Sequence, residues 1–263
     1  MSAVPQSERP VQPARAAGGV QSLGRAFTIL ETIADAGGVV SLSELAGSTG
    51  LPLPTIHRLV RTLVDLGYVR QEASRQYSLG PRLIRLGEVT SQRITAWSRP
   101  HLEPVVKQLG ESVNLATMDG DRIVYIGNVM PSQNSMRMFT EVGRRVDAHA
   151  TAVGKAILAS EPEADVQALL ARSGLDAHTE HTIDSVEQFL AELARARVTG
   201  YAVDNEEQEV GVRCVAVAVP AAGHRLAVSM SGPLSRMDDE AVAAAILPLQ
   251  RAAAAIAAEL DVR

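Results

Sequence analysis

The fold is decided by residues 41–80, which read SLSELAGSTGLPLPTIHRLVRTLVDLGYVRQEASRQYSLG. Ser41 and Glu44 form an S-x-x-E pattern, in which each side chain bonds a free backbone amide at a helix start. This helix is predicted to end at Gly50, and Pro52 and Pro54 suit the first turn of a second helix. Two short helices joined by a tight turn are typical of a helix-turn-helix motif.

The second helix has one apolar face and one polar face. Apolar residues recur at spacings of three and four, as the core face of a helix requires: Ile56, Leu59, Val60, Leu63 and Leu66. The opposite arc carries Thr55, His57, Arg58 and Arg61. We predict that these four side chains contact DNA, because a recognition helix presents such an arc to the major groove.

A hairpin is predicted directly after the second helix. Residues 68–70 and 76–79 resemble short strands, and the polar residues 71–75 between them suit a turn. Such a hairpin is a wing, and Arg75 at its tip is placed to contact backbone phosphate or the minor groove. The alternative is an ordinary helical hairpin with solvated arginines. The capping pattern, short turn, basic arc and wing together favour DNA binding.

Charge is unevenly distributed along the 263 residues. The net charge is −5, but residues 1–95 hold ten Arg and no Lys against seven acidic residues, whereas the remainder holds 15 basic and 23 acidic residues. A mildly basic head on an acidic body fits a DNA-binding domain attached to another domain. The single cysteine, Cys214, excludes an internal disulfide framework. With no signal-peptide pattern and no apolar run near about 18 residues, we predict a cytoplasmic protein without a membrane partner.

Four segments are predicted along the chain. Residues 1–20 have the composition of a disordered tail, residues 21–80 form the winged helix-turn-helix domain, residues 81–98 form a linker helix stopped by Pro100, and residues 99–263 form the second domain. The first helix is predicted to pack through Leu23, Ala26, Phe27, Leu30, Ile33 and Ala34. The linker helix is expected to expose Ile94 and Trp97 as a dimer contact, with a packed linker that has no partner as the alternative.

The second domain alternates helix and strand. Strands are predicted at residues 112–118, 122–129, 135–140, 201–204, 213–219 and 225–230, and Asp119-Gly120 is a hairpin turn signal. Helices are predicted around residues 103–109, 152–160, 163–172, 184–197 and 237–260. Antiparallel hairpins mixed with helices predict an α+β domain built on one central antiparallel sheet.

Polar residues within the apolar strands indicate a small ligand pocket. Ser229 and Ser231 face the same side of their strand because they are two residues apart, and Asp204 and Cys214 lie in two other predicted strands. The helix starting near Ala152 offers amides and a positive dipole end, which suit a small anion. The alternative is that these serines only bond their neighbours and that Cys214 is an ordinary buried residue.

Other kinds of site have weaker signals. His178 and His181 are metal-ligand residues in an apparent loop, but no second pair accompanies them, so we predict no metal. A nucleophilic Cys214 would need a basic neighbour, and Arg213 points to the opposite face. Residues 206–209 are interpreted as a solvated acidic loop. We expect no catalytic residue and no cofactor.

Several motifs in order resemble the IclR family of bacterial transcriptional regulators. They are VQSLGRAFTILETIA at residues 20–34, the helix-turn-helix stretch itself, YSLGPRLIRLG at 77–87, HATAVGKAILA at 149–159, GYAVDNEEQEVGVRCVAVAV at 200–219 and SMSGP at 229–233. The resemblance implies a winged helix-turn-helix head, a linker helix and a GAF-like effector domain with a central antiparallel sheet. It also implies dimers, or dimers of dimers, on palindromic double-stranded operators, with a small organic metabolite as effector.

SMRMF at residues 135–139, followed by a G-R-R loop and HATAVGKA, is most similar to the allantoin-pathway repressors, which respond to glyoxylate. That likeness implies an effector carboxylate at the amides of Ala152 and Val153. It places the remaining effector contacts on Phe139, Asp204, Cys214, Ser229 and Ser231. The allantoin repressor has a cysteine where this chain has Phe139, and the phenyl group would reshape the pocket.

The function predicted from the sequence is an operator-binding repressor controlled by a small acid, glyoxylate or a ureide such as allantoate. The alternative within the family is a regulator, repressor or activator, of another catabolic pathway that responds to an aromatic or other small carboxylic acid. Two further alternatives are an enzyme that uses Cys214 and a scaffold whose pocket is packed shut.

Overall fold

The computed structural model describes residues 20–131 and 141–260, which form two compact units. The first unit ends at Thr90 and the second begins at Ser91. Three predictions fall outside the described residues. They are the tail up to residue 19, the strand at residues 135–140, and the pocket position Phe139.

The first unit is a winged helix-turn-helix. Its elements are α1 (Gln21–Asp35), β1 (Val39–Val40), α2 (Leu42–Thr49), α3 (Leu53–Asp65), β2 (Val69–Gln71) and β3 (Tyr77–Leu79). The predicted capping box is confirmed: the Glu44 amide donates to Ser41 Oγ at 3.2 Å, and the Ser41 amide donates to Glu44 Oε2 at 2.7 Å. The wing is a three-stranded sheet in the order β1-β3-β2, and β1 was not predicted.

The core of the first unit corrects the predicted face of α1. Ile29, Leu30 and Ile33 are buried, whereas Leu23 and Phe27 are 59% and 61% exposed. Successive helical residues are rotated by about 100°, so Phe27 lies well away from the line through Leu30 and Ile33. Phe27 was included in the predicted packing face because it is strongly apolar, and this prediction is wrong.

The linker helix is longer than predicted. Helix α4 (Arg82–Leu109) continues through Pro100 and Pro104, so Pro100 does not stop it. Each proline removes one backbone hydrogen bond, but Leu102, Val105 and Val106 beyond Pro100 are buried in the core of the second unit, and this packing favours the helix. Trp97 is half-buried and packs against that core, so it is less exposed than predicted, and the dimer contact stays a prediction. Ile94 is half-buried.

The second unit is built on one antiparallel sheet, which confirms the predicted fold class. Its strands are β4 (Ser112–Asp119), β5 (Arg122–Val129), β6 (Arg145–Asp147), β7 (Ala202–Asn205), β8 (Val212–Ala218) and β9 (Leu226–Pro233), in the order β6-β5-β4-β9-β8-β7. One face packs against α5 (Ala152–Ala159), α6 (Glu163–Ser173) and α7 (Val186–Thr199). The other face packs against the second half of α4 and α8 (Asp239–Leu260).

Helix α8 is long and apolar enough, by length and composition, to cross a membrane. Core helices of soluble domains meet the same criteria. Leu249, Ala253 and Ile256 of α8 are buried against the sheet, so we interpret α8 as a core helix.

Candidate nucleic-acid interface and ligand site

Helix α3 presents a basic arc above a buried apolar stripe. Ile56, Val60 and Leu63 are buried in the first unit. His57, Arg58 and Arg61 are exposed and Thr55 is half-buried. Within the described chain neither Arg58 nor Arg61 pairs with a carboxylate, so both guanidinium groups are available to a nucleic acid. A major groove admits an exposed helix that carries such side chains.

The wing is held in shape by one carboxylate. Glu72 pairs with Arg70 at 2.8 Å and accepts a hydrogen bond from Ser78 Oγ at 2.6 Å. These contacts, with Ser78 first, lower the pKa of Glu72. Arg75 is exposed and has a φ of 65°, a left-handed conformation that few residues other than Gly, Asn and Asp adopt. The turn therefore projects the Arg75 side chain from the wing tip, where it was predicted.

Four of the predicted ligand residues meet on one face of the sheet. Asp204 is paired with Cys214, and Cys214 is paired with Ser231, on adjacent strands. Directly paired residues of antiparallel strands share a face, and Ser229 shares that face because it is two residues from Ser231. All four side chains are buried. The structure thus gathers a row of polar groups on the face that α5, α6 and α7 cover.

The remaining described members of the predicted site lie at the start of α5. Ala152 and Val153 are buried in the first turn of this helix, which packs on the same face of the sheet. Thr151 caps the helix, since its Oγ1 accepts a hydrogen bond from the Gly154 amide at 3.2 Å. The first amides of a helix have no intrahelical carbonyl partner. Those of Ala152 and Val153 are therefore suited to an anion on this face.

Two asparagines extend the polar row and were missed by the sequence analysis. Asn114 Nδ2 donates to Ser231 Oγ at 3.2 Å and reaches Ser229 Oγ at 3.5 Å. Asn128 Nδ2 donates to Asn114 Oδ1 at 2.6 Å. The available signal was a single amide residue inside each of two apolar strand segments, VNLA and IGNV.

The Asp204 carboxyl group changes its protonation state near neutral pH. Burial, followed by the nearby Glu207, raises the pKa of Asp204 to about 7, and Lys155 opposes the rise. Asp204 Oδ1 accepts hydrogen bonds from the amides of Glu207 at 2.8 Å and Gln208 at 3.4 Å. A protonated Asp204 can donate a hydrogen bond to a ligand, whereas the ionised form can only accept one.

Glu207 corrects the prediction of a solvated acidic loop. It is buried, and its Oε1 lies 2.5 Å from Lys155 Nζ, which is itself fully buried in α5. Lys155 Nζ also lies 3.8 Å from Glu192 Oε1 on α7. Glu206 and Glu209 are half-buried. Lys155 draws the loop inward because a buried ammonium group requires a carboxylate partner.

Cys214 lies in an environment that suppresses nucleophilic chemistry. Burial, followed by the negative charge of Asp204, raises the pKa of the Cys214 thiol, and the thiol is a far weaker nucleophile than the thiolate. The neighbouring Arg213 is engaged elsewhere, where it donates to the Met237 carbonyl oxygen at 2.9 Å and to Asp239 Oδ1 at 2.7 Å.

The two histidines weighed as metal ligands have different partners. His178 Nε2 lies 3.0 Å from Asp147 Oδ2, and this hydrogen bond lowers the pKa of Asp147 to about 2. His181 lies at the surface, 3.9 Å from Glu180 and 4.0 Å from Glu206. Across the described ranges, no three ligand-type side chains form a group that could hold a metal ion.

Comparison with known families and proteins covers both units. Residues 22–73 match the model of the IclR helix-turn-helix domain, and residues 87–258 match that of the bacterial transcriptional regulator IclR C-terminal domain. The chain is 38% identical over 239 residues to the transcriptional repressor IclR of Escherichia coli strain K12, covering 88% of this chain and 87% of the relative. It is 38% identical over 232 residues to the acetate operon repressor of Salmonella typhimurium, covering 86% and 84%.

A solved structure agrees with these sequence matches. A transcriptional regulator from Alicyclobacillus acidocaldarius superposes with a TM-score of 0.78 at 30% sequence identity, covering 91% of this chain and 98% of that one. The similarity therefore extends over both the helix-turn-helix unit and the sheet-based unit.

Proposed function

Because the chain belongs to the IclR family of bacterial transcriptional regulators, we propose that it represses transcription from an operator that it binds or releases in response to a small organic acid. The helix-turn-helix unit binds DNA and the C-terminal unit binds a small molecule. The relatives are regulators and not enzymes. We also propose that the protein acts in the cytoplasm, because its operator DNA would lie there.

The exposed arc of α3 carries the DNA half of this proposal. Arg58 and Arg61 read base edges in the major groove, Thr55 and His57 complete the contact, and Arg75 reaches the backbone or minor groove from the wing. Phosphate contacts supply affinity, and base-edge contacts supply sequence choice.

Arginine-to-alanine substitutions test this interface. Arg58→Ala and Arg61→Ala are each expected to weaken binding by about 1–3 kcal/mol and to relax sequence preference at one position. The measurement is fluorescence anisotropy at fixed salt, using a duplex that the protein selects from a random library and an unselected duplex. Arg251→Ala, an exposed arginine of α8, is the matched control. An equal loss on both duplexes would assign the arginine to phosphate, and no loss would remove it from the interface.

Two exposed apolar sets in the first unit support self-association. Leu23 and Phe27 project from α1, and Ile84, Leu86 and Val89 project from the first half of α4. A symmetric dimer would bury such surfaces and place two recognition helices on the half-sites of a palindromic operator. We therefore propose a dimer, or a dimer of dimers, as the DNA-binding form.

The buried polar row carries the effector half of the proposal. A carboxylate is matched by the amides at the start of α5 and by the hydroxyls of Ser229 and Ser231, and Asp204 and Cys214 lie on the same face of the sheet. One relative is named for an acetate operon, which concerns a two-carbon acid. Glyoxylate, also a two-carbon acid, or a ureide of the allantoin pathway such as allantoate, is the effector that we propose first. Phe139 is the further pocket position proposed from the family resemblance.

A thermal-shift screen tests the effector. The panel is glyoxylate, allantoate, allantoin, pyruvate and 4-hydroxybenzoate, and a ligand at 100 times its dissociation constant should stabilise the protein by about 2.7 kcal/mol. We expect glyoxylate or allantoate to raise the melting temperature, Ser229→Ala to abolish the rise, and Ser235→Ala, which changes an exposed serine, to preserve it. A response to 4-hydroxybenzoate alone would replace the allantoin pathway by an aromatic acid. No response at all would reject the small-acid effector.

Effector binding must then alter the affinity for DNA. A ligand shifts an equilibrium between two arrangements of the DNA-binding heads only if it binds one arrangement more tightly. Helix α4 belongs to both units, so we propose that it transmits this preference.

A further inference from the structure

We propose that Asn114 is a positioning residue that makes the effector site selective for ligands that accept hydrogen bonds, so that the site takes a carboxylate and rejects the corresponding amide. This inference rests on the proposed small-acid effector. It adds a residue outside the predicted site and a physical basis for the choice between an acid and its neutral analogue.

The geometry places Asn114 behind both serines. Asn114 is paired with Ser229 on β9 and with Asn128 on β5, and its side chain is fully buried. Its Nδ2 faces Ser229 Oγ and Ser231 Oγ at 3.5 and 3.2 Å. Its Oδ1 accepts a hydrogen bond from Asn128 Nδ2 at 2.6 Å. The contact with Asn128 fixes which end of the amide faces the serines.

This orientation determines what the serine hydroxyls can offer. A hydroxyl group has one proton and two lone pairs. Because Asn114 Nδ2 donates to each serine oxygen, a lone pair of each hydroxyl is occupied and its own proton points away from Asn114. The hydroxyls therefore meet a ligand as donors. A ligand oxygen with negative charge gains most from such donors.

The neighbouring residue on β8 does not compete strongly for these protons. The Cys214 thiol is in hydrogen-bonding contact with Ser231 and Asp204. Sulfur is a weak acceptor, so a carboxylate oxygen is the better partner for the Ser231 hydroxyl. The polar row thus runs from Asn128 and Asn114 through the serines to Cys214 and Asp204. Within this row, Asn114 determines which groups donate hydrogen bonds and which accept them.

The test compares an acid with its neutral isostere. The probes are glyoxylate and glyoxylamide, with affinities measured by isothermal titration calorimetry on the full-length wild type, Asn114→Leu and Asn114→Asp. The wild type should bind glyoxylate at least about tenfold more tightly than glyoxylamide, as expected from hydrogen bonds to a charged group. Asn114→Leu removes the donor without adding charge, and we expect the acid-to-amide ratio to fall several-fold. In Asn114→Asp the new carboxylate only accepts hydrogen bonds, so the serine protons should turn toward it. The acid-to-amide ratio should then invert, so that glyoxylamide binds more tightly than glyoxylate.

The ratio separates positioning from other roles. A merely structural role would weaken both probes equally and leave the ratio unchanged in both variants. Simple charge repulsion would change the ratio in Asn114→Asp but not in Asn114→Leu. An unchanged ratio in Asn114→Leu therefore overturns the proposal.

A second route covers loss of folding in the Asn114 variants. Ligand-free melting temperatures report whether each variant folds. If neither does, Asn128→Asp is the alternative variant, since it replaces the amide that donates to Asn114 Oδ1 by a carboxylate that only accepts hydrogen bonds. The Asn114 amide should then rotate so that its Nδ2 faces residue 128 and its Oδ1 faces the serines, and the preference for the acid should be lost. A retained preference in Asn128→Asp would overturn the proposal. A wild type that binds neither glyoxylate nor any other acid rejects the proposed effector class itself, which is a different result from acid binding with an unchanged ratio.

Discussion

Lys155→Met is expected to destabilise the second unit by about 3–5 kcal/mol at pH 8, because it leaves the buried Glu207 carboxylate without its partner. Lys155 has no exposed surface, and its Nζ lies 2.5 Å from Glu207 Oε1. The measurement is urea unfolding followed by circular dichroism, with the transition of the second unit fitted separately. A fully exposed ion pair would contribute far less, since solvent screens its charges.

The stability cost of Lys155→Met should depend on pH, and the pKa of Glu207 gives the direction. Burial already raises the pKa of Glu207, and Lys155 lowers it. Without Lys155 the folded-state pKa rises further above the unfolded value, so the folded variant retains a proton that the unfolded chain releases. Stability is then present at low pH and is lost as pH rises toward the folded pKa. We expect a smaller penalty at pH 5 than at pH 8.

Two variants control for the general effect of removing a lysine. Lys107→Met breaks a pair with Glu103 in which the lysine side chain is 74% exposed, and its expected cost is small because solvent screens the two charges. The double variant Lys155→Met/Glu207→Leu removes both buried charges and should recover much of the loss. Equal costs for Lys155→Met and Lys107→Met at pH 8 would show that the buried pair is not a major source of stability.

Gly154→Ala is expected to destabilise the protein by about 1–3 kcal/mol or more and to abolish effector binding. A Cβ at this position would overlap the Ala148 carbonyl oxygen and lie 2.6 Å from the Ala148 carbonyl carbon. Both atoms belong to the backbone, so α5 would have to move away from the preceding segment. The amides proposed to hold the carboxylate lie at the start of α5, so they would be displaced as well. Thermal melting with and without glyoxylate measures both effects.

The same substitution elsewhere shows why position decides the outcome. Alanine favours an α-helix over glycine by about 0.8–1 kcal/mol, so Gly154→Ala would stabilise α5 if space allowed. Gly87→Ala in α4 supplies the matched control, since a Cβ there meets nothing within 4 Å. We expect Gly87→Ala to be neutral or stabilising. A stabilising Gly154→Ala would mean that α5 can shift at little cost and would remove the argument for a rigid anion site.

The proposed effector site has parts that are held rigidly and one part that responds to pH. Asn114 and the start of α5 are fixed by backbone pairing and by close packing, respectively. Asp204, in contrast, has its pKa raised to about 7 by burial and by Glu207. Above that pH an ionised Asp204 would face an anionic ligand, so proton uptake at Asp204 would accompany the binding of a carboxylate.

Local patterns predicted the helix-turn-helix motif and its wing, although they missed β1 and misplaced Leu23 and Phe27. The capping box of Ser41 and Glu44, the apolar stripe of α3 and the polar arc opposite it depend on residues three and four apart. Such contacts are the same wherever the helix lies. The alternation of strands and helices likewise predicted the antiparallel sheet, and the shared motifs predicted the family.

The ligand site was only partly accessible to that reasoning. Period-two alternation put Ser229 and Ser231 on one side of a strand, but it cannot say which residue of another strand lies opposite. Asn114 meets these serines because β4 and β9, more than a hundred residues apart in sequence, are neighbours in the sheet.

Burial of charge and the continuity of α4 were decided by the tertiary structure. Glu207 belongs to an acidic run and was predicted to be solvated, yet the buried Lys155 of α5 pairs with it. Pro100 predicted a helix end, but α4 continues because the residues beyond it pack into the second core. Sequence periodicity reports which side of an element is apolar. Only the packed fold determines which polar groups are removed from water and which partners they then require.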